Sequence, residues 1–352
     1  MKVRNVLIAI VLLAAGLYAQ SGGGFTIERS VISNGGGTST GGGFTVTSTI
    51  GQPIAGVTSI GAEFQISSGF WGAGGTTGMR RVLFDFDGDG RADIAVRRPS
   101  DNVWYFLRTT AGYTGFGYGI AGDLLTPADY DGDGKTDVAV FRPSEGQWYI
   151  AGSSTGFYVV SWGAAGDIPV PADYDGDGKA DPAVFRPSNG TWYRKFSSGP
   201  ISTVAFGTAE DKPLPADYDG DGKADLAVRR PSDNTWYFLR TTAGFTGFQY
   251  GVAGDISTPA DYDGDGKTDV AVFRPSSGTW FIAGTRDGFY TQGWGAAGDV
   301  PVPADYDGDG KVDLGVYRPS NQTWYMFRSS LGILTTVFGT AEDQPVAAAA
   351  AF

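Results

Sequence analysis

The stretch that decides the fold is Asp129-Tyr130-Asp131-Gly132-Asp133-Gly134-Lys135-Thr136-Asp137. Four carboxylates stand at positions 1, 3, 5 and 9 of nine residues, with glycines at 4 and 6 and a lysine at 7. The pattern D-x-D-G-D-G-[KR]-x-D recurs six times, opening at Asp85, Asp129, Asp173, Asp217, Asp261 and Asp305, always 44 residues apart. A fixed period of that length marks a repeat architecture.

Working outward from the third copy, Ile168–Asp173 reads as a first short strand and Ala183-Val184-Phe185 as a second. Arg186-Pro187-Ser188 with Asn189-Gly190 makes a turn, Trp192-Tyr193 opens a third strand, and Thr203–Phe206 makes a fourth. Four strands in 44 residues leave no room for a helix. Pro169 and Pro171 belong at strand ends, or where an N–H would face away from a neighbour. Four-stranded units at this period predict an all-β chain, a β-propeller of six blades. An open β-solenoid is the competitor, but it needs caps at both ends. Gln344-Pro345-Val346 restarts the first-strand pattern and then runs to Phe352 without an Asp. This tail reads as a closing strand. Its expected partners are residues near Arg80 to Phe84, or the strands of the N-terminal segment; the second choice would make a composite seventh blade. A longer period overlies the first: copies one and four share RRPSDN-x-WYFLRTTAG, two and five WGAAGD, three and six FGTAED.

Alternating carboxylates on a glycine-bent loop suit calcium, a hard cation that takes six to eight oxygens. The glycines permit positive φ, which lets a short loop wrap an ion. The expected ligand sets are Asp85, Asp87, Asp89 and Asp93 with the Arg91 carbonyl; Asp129, Asp131, Asp133 and Asp137 with that of Lys135; Asp173, Asp175, Asp177 and Asp181 with that of Lys179; Asp217, Asp219, Asp221 and Asp225 with that of Lys223; Asp261, Asp263, Asp265 and Asp269 with that of Lys267; and Asp305, Asp307, Asp309 and Asp313 with that of Lys311. About six Ca²⁺ are expected, one per loop, with the basic side chain at position 7 pointing outward. The loop departs from an EF-hand at position 12, where Val140 stands in a strand-like run instead of a bidentate Glu. A phosphate loop is excluded because Asp129 and Asp261 stand where its first glycine belongs.

The whole unit resembles the FG-GAP (VCBS-type) repeat of integrin α-subunit propellers and of secreted bacterial proteins. Trp162-Gly163 and Phe206-Gly207 stand where that repeat has Phe-Gly, while Phe185-Arg186-Pro187 replaces its Gly-Ala-Pro. The resemblance covers about residues 80 to 343. It implies a propeller with calcium in the hairpin between strands one and two of each blade, and roles in adhesion, glycan binding or scaffolding of polysaccharide-cleaving enzymes.

Composition narrows the chemistry. The 352 residues include no Cys and no His, so disulfides, thiolate sites, imidazole zinc sites and Ser-His-Asp triads are out. Each loop carries a net −3, so six loops carry −18, more than the −12 of the whole chain. The acidity belongs to the loops and reads as metal-site charge. No basic stripe exists, which argues against a nucleic-acid partner. Lys2 and Arg4 followed by apolar Val6 to Leu17 and by Leu17-Tyr18-Ala19 read as a secretory signal over residues 1–19. No other segment reads as a membrane span. Residues 20–79, rich in Gly, Ser and Thr, read as three or four strands before the propeller at 80–352: a small β-module, or strands that complete the sheets of the main domain, with a flexible linker as the plainer alternative.

Other residues recur once per unit. Trp104, Trp148, Trp192, Trp236, Trp280 and Trp324 are expected to pack between blades. Arg98, Arg142, Arg186, Arg230, Arg274 and Arg318 are expected to pair with Asp123, Asp167, Asp211, Asp255, Asp299 and Asp343. Aromatics confined to some copies are the better ligand candidates: Trp162 and Trp294, and Tyr113, Phe116 and Phe245 in a loop peculiar to copies one and four. No acidic pair breaks repeat symmetry as a catalytic site would, and Glu is scarce. The expectation is therefore a secreted, calcium-stabilised binding or adhesion module for an extracellular protein or glycan. A polysaccharide lyase or glycosidase and a purely surface-structural protein are the alternatives.

Overall fold

The computed structural model describes residues 37–41, 44–48, 58–61, 64–67 and 82–350. The chain divides into two compact units, Met1–Thr77 and Gly78–Phe352. The expected signal segment and the runs at Phe25 and Phe70 lie outside the described residues. In the first unit, Gly37–Gly41 pairs antiparallel with Phe44–Ser48, and Thr58–Gly61 with Phe64–Ser67.

The second unit is a six-blade β-propeller. Blade 2 shows the plan: Leu124–Leu125, Val138–Arg142, Gln147–Gly152 and Gly156–Ser161 form an antiparallel sheet in chain order. Blades 3 to 6 repeat it. The second strand, Val138-Ala139-Val140-Phe141, is buried throughout, as expected of a strand covered on both faces. The third strand alternates, burying Trp148 and Ile150 while Tyr149 stays half-exposed. The fourth is the outermost and most exposed.

First strands are shorter than the sequence suggests. Ile168–Pro169 is only two residues long, and pairing resumes as a lone bridge between Ala172 and Asp181. Pro171 has no N–H to continue the ladder. Pro169 is tolerated because a first strand pairs only with the second, which leaves its other edge free of a ladder.

The tail closes the ring, but not against either expected partner. Gln344–Pro345 pairs with Arg97 and Val96 and so becomes the first strand of blade 1, beside Ile94–Arg98, Val103–Arg108 and Gly112–Gly117. The start of the propeller supplies the rest of that strand: the Phe84 carbonyl accepts the Asp93 N–H at 2.8 Å, as Ala128 does for Asp137 in blade 2. The tail is consumed in completing the first of six blades, so a composite seventh is not built from it.

The core is split among blade boundaries. Trp148 shares a cluster with Ala180 and Val184 of blade 3, and Trp192 one with Leu226 and Val228 of blade 4. All six repeated tryptophans are 0% exposed. Each donates its Nε1–H to a backbone carbonyl 14 residues on, such as Trp192 to Phe206 at 2.7 Å. The aromatic residue of each Phe-Gly-like pair therefore serves as the acceptor for its own blade's tryptophan.

Every Arg of the periodic set forms a two-pronged ion pair with the Asp just before the first strand of its own blade. Arg142 Nε and Nη2 reach Asp123 Oδ1 and Oδ2 at 2.8 and 3.0 Å. In blade 1 the partner is Asp343 of the tail, at 2.8 and 3.1 Å. The Asp343 carboxylate is fully buried, and Arg98 lies over the Tyr105 ring at 4.3 Å. Removing one member of such a pair strands the other without a counter-charge. Arg98→Ala should thus lower stability by about 3 kcal/mol, judged by urea unfolding in calcium. A loss below about 0.5 kcal/mol would show that ring closure does not depend on this pair.

Candidate metal centre

Each acidic loop joins strand one to strand two of its blade. In blade 2, Gly132 and Gly134 adopt φ of 80° and 89°, and the Gly132 and Gly134 N–H groups turn inward onto Asp129 Oδ1 and Oδ2 at 2.6 and 3.0 Å. Asp137 Oδ2 accepts from Tyr130 N at 2.9 Å, and its Oδ1 from Ser153 N at 2.7 Å. Asp131 Oδ2 accepts from Ser154 N and Thr155 N, both at 2.9 Å. Its other oxygen, Oδ1, is buried and accepts no hydrogen bond.

Asp129, Asp131 and Asp137 offer oxygens that all lie within 4.8 Å of one another. The same triad forms from Asp85, Asp87 and Asp93, from Asp173, Asp175 and Asp181, and from Asp217, Asp219 and Asp225. In blade 5 the group is Asp261, Asp263 and Asp265. Positions 1, 3 and 9 of the predicted ligand set are therefore brought together in four blades. Position 5, which joins the group in blade 5, also has a second task. Asp133 Oδ1 accepts the Lys135 N–H at 2.9 Å and its Oδ2 the Ser153 hydroxyl at 2.7 Å, so this carboxylate ties the loop to the turn between strands three and four.

A buried carboxylate oxygen without a donor is costly unless something else meets it. Asp87, Asp131, Asp219 and Asp263 each present such an Oδ1, and Asp263 is 1% exposed. An all-oxygen donor set of this kind fits a hard divalent cation. Positions 1, 3 and 9, with position 5 in blade 5, would hold it, and its charge would offset the crowded carboxylates.

The loop's electrostatics point the same way. Burial pushes Asp93 and Asp313 up to about 7, and Asp137 and Asp181 up to about 6. Nearby carboxylates add to the rise against the two backbone hydrogen bonds each accepts. Burial raises Asp225 and Asp269 too. At position 3 burial also acts upward, but hydrogen bonds from the strand three–four turn outweigh it and hold Asp87, Asp131, Asp219 and Asp307 below the ordinary carboxylate range.

That turn is the part the sequence reading missed. Thr109-Thr110, Ser153-Ser154, Ser197-Ser198, Thr241-Thr242 and Ser329-Ser330 recur at the 44-residue period, and their hydroxyls clamp positions 5 and 3. In blade 5, Thr285 bonds position 5, but Arg286 replaces the second hydroxyl and its guanidinium bonds the Asp263 carbonyl. The position-7 side chains do not simply point outward. Each lies along the loop of the preceding blade: a Cβ placed on Gly132 would come within 3.1 Å of the Lys179 stem.

The symmetry-breaking aromatics divide. Trp162 and Trp294 are half-buried, and their Nε1–H groups bond the Tyr193 and Tyr325 carbonyls of the next blade at 3.1 and 3.2 Å. They are inter-blade struts and not free platforms. Tyr113, Phe116 and Phe245 are exposed, but they lie on the fourth strands of blades 1 and 4, not in a loop.

The model of the FG-GAP-like repeat matches residues 85–140, 129–184, 217–272 and 261–316, more than half of the chain. The chain belongs to the FG-GAP-like repeat family, and its fold is that family's β-propeller. No curated protein matches it. Among solved structures it is similar to an Agrocybe aegerita lectin specific for non-reducing terminal N-acetylglucosamine, with 19% identity, TM-score 0.46, and coverage of 72% of this chain and 76% of that one. It is also similar to a streptogramin B lyase, with 9% identity, TM-score 0.46, and coverage of 73% and 87%. Virginiamycin B lyase from Staphylococcus aureus gives 9%, 0.44, and 73% and 87%. Likenesses this remote concern the arrangement of strands alone. Among the described residues no helix is long and apolar enough to cross a membrane.

The raised position-9 carboxylates set a pH dependence. Between about pH 4, where unfolded Asp ionises, and about pH 7, the metal-free fold binds more protons than the unfolded chain. Its stability therefore falls as pH rises through that window. In EDTA the melting temperature should drop from pH 5 to pH 8, and millimolar Ca²⁺ should restore it most at pH 8. A melting temperature in EDTA that rises over this range would contradict the assignment.

Proposed function

We propose that this chain is an exported, calcium-stabilised propeller that acts as a binding or adhesion module for an extracellular protein or glycan. In this reading residues 1–19 are a signal peptide, 20–79 a small β-module and 80–352 the propeller. Calcium in the six loops is structural: it would be held by the clustered carboxylates and would rigidify the rim that carries them.

The observation that carries the binding role lies on the outermost strands. Tyr113, Phe157, Ile201, Phe245, Phe289 and Ile333 occupy one repeat position, and each is 60 to 65% exposed. These side chains are propped from behind. In blade 2, Asp123 pairs with Arg142, Arg142 lies 4.1 Å over Tyr149, and Tyr149 stacks on Phe157 with centroids 6.4 Å apart. Blades 1 and 4 build the same ladder through Tyr105 and Tyr113, and Tyr237 and Phe245. A rigid exposed aromatic ring suits the apolar face of a sugar or an apolar protein side chain.

Among the described residues, the periodic carboxylates that an acid-base enzyme would need are engaged elsewhere. The periodic Asp residues neutralise arginines, and the exposed Glu145, Glu210 and Glu342 lie beside Arg142, Arg230 and Arg98. This supports a non-enzymatic role.

The test is binding of the purified chain to a glycan array with and without Ca²⁺, beside a variant with Tyr113, Phe157, Phe245 and Phe289 all changed to Ser. Calcium-dependent binding lost in the variant, with its melting temperature kept within a few degrees, is the expected outcome. Binding that survives the four substitutions would move the ligand surface elsewhere. No binding to any glycan would leave a protein partner or a surface-structural role.

A further inference from the structure

The six loops touch one another. The N–H of position 8 in each loop donates to the position-1 carbonyl of the preceding blade's loop. The bonds run Thr136 to Asp85, Ala180 to Asp129, Ala224 to Asp173, Thr268 to Asp217 and Val312 to Asp261, at 2.6 to 2.8 Å. Ala92 to Asp305, at 2.7 Å, closes the circuit. The basic side chains follow the same path. A Cβ on Gly88 would meet Lys135 Cε at 2.7 Å, and one on Gly308 would meet Arg91 Cγ at 3.1 Å. The circuit is continuous through the point where the propeller's last blade meets its first.

The bonded groups belong to ligand residues. Asp85 contributes a carboxylate to its own cluster and its backbone carbonyl to the next loop. The peptide joining Lys135 to Thr136 is double-ended too. Its N–H meets the Asp85 carbonyl, while its C=O belongs to the position-7 residue expected to face the ion of its own loop. Among the described residues no peptide bond is cis, so these two groups point in opposite directions from one rigid plane. A cation pulling on that C=O polarises the N–H at the other end and strengthens its bond to the neighbour. It also fixes the plane's orientation, and with it the position-1 residue of the preceding site. Filling one loop thereby orders a ligand of the loop before it.

We propose that the six loops load divalent cation cooperatively, as a nearest-neighbour ring and not as independent sites. This rests on the calcium reading of the loops. The coupling runs through backbone, so it does not depend on which residue stands at position 8, where Ala, Thr and Val all occur.

The test is a Ca²⁺ titration of the full chain, stripped of metal, by isothermal calorimetry. The wild type should show a Hill coefficient above one. Asp131→Asn disables blade 2 alone, and the concentration that half-fills the remaining loops should rise by about 5-fold, the low end of ordinary coupling. Position in the ring should matter as well. Asp131→Asn with Asp175→Asn leaves four sites in one arc, whereas Asp131→Asn with Asp263→Asn leaves two separate pairs. The second variant should be the less cooperative. Six identical, independent sites in the wild type, which needs no variant to fold, would overturn the coupling while leaving the calcium reading intact. A flat titration would remove both. Equal cooperativity in the two double variants would overturn the nearest-neighbour ring.

Discussion

Electrostatic crowding at the loops is the constraint around which this molecule is built. At least five of the six loops gather three carboxylates within 4.8 Å, and in four blades one of these has a buried oxygen that no donor meets. Like charges that close repel strongly where water is scarce. Protons can relieve this in part, and the raised position-9 carboxylates show where they would go. A divalent cation would relieve more of it, offsetting two of the three charges in each group. Hydrogen bonds from these carboxylates already tie the strand one–two hairpin to the turn between strands three and four, and a bound cation would tighten that link.

The rest of the propeller is arranged so that the strain is shared and no blade stands alone. Buried tryptophans fill the blade boundaries, and two-pronged Arg–Asp pairs tie the start of the first strand to the end of the second. At the closure of the ring, Gln344–Pro345 and Asp343 dock on Val96, Arg97 and Arg98. That docking completes blade 1, and the same closure brings the Asp305 carbonyl to the Ala92 N–H. Blade pairing, ring closure and loop contacts are therefore three views of one geometry with a 44-residue period.

Much of this was legible in the sequence, because a repeat displays each constraint six times. The carboxylates at Asp129, Asp131 and Asp137, the buried Trp148 and the pairing of the periodic Arg set with the periodic Asp set could all be read from spacing and residue type, though not which Asp each Arg meets. What escaped involves partners that carry no mark in the sequence. The tail's pairing with Val96 and Arg97 is set by backbone hydrogen bonds, which any residue with an N–H can make. The bond from Thr136 to Asp85 is invisible for the same reason. Trp162 read as a ligand platform because it breaks symmetry, yet its Nε1–H serves the next blade. The hydroxyl pairs such as Ser153-Ser154 were legible but unread: their period matches the loops', and only the fold shows that the turn bearing them folds back onto the carboxylates.

The central claim is that the loops are true cation sites, filled one ion to each. Native mass spectrometry of the chain, purified in millimolar CaCl₂ and sprayed from a volatile buffer, measures this directly. The account predicts a dominant species carrying six calcium ions that disappears on chelation. A protein of unshifted mass under the same conditions would contradict it.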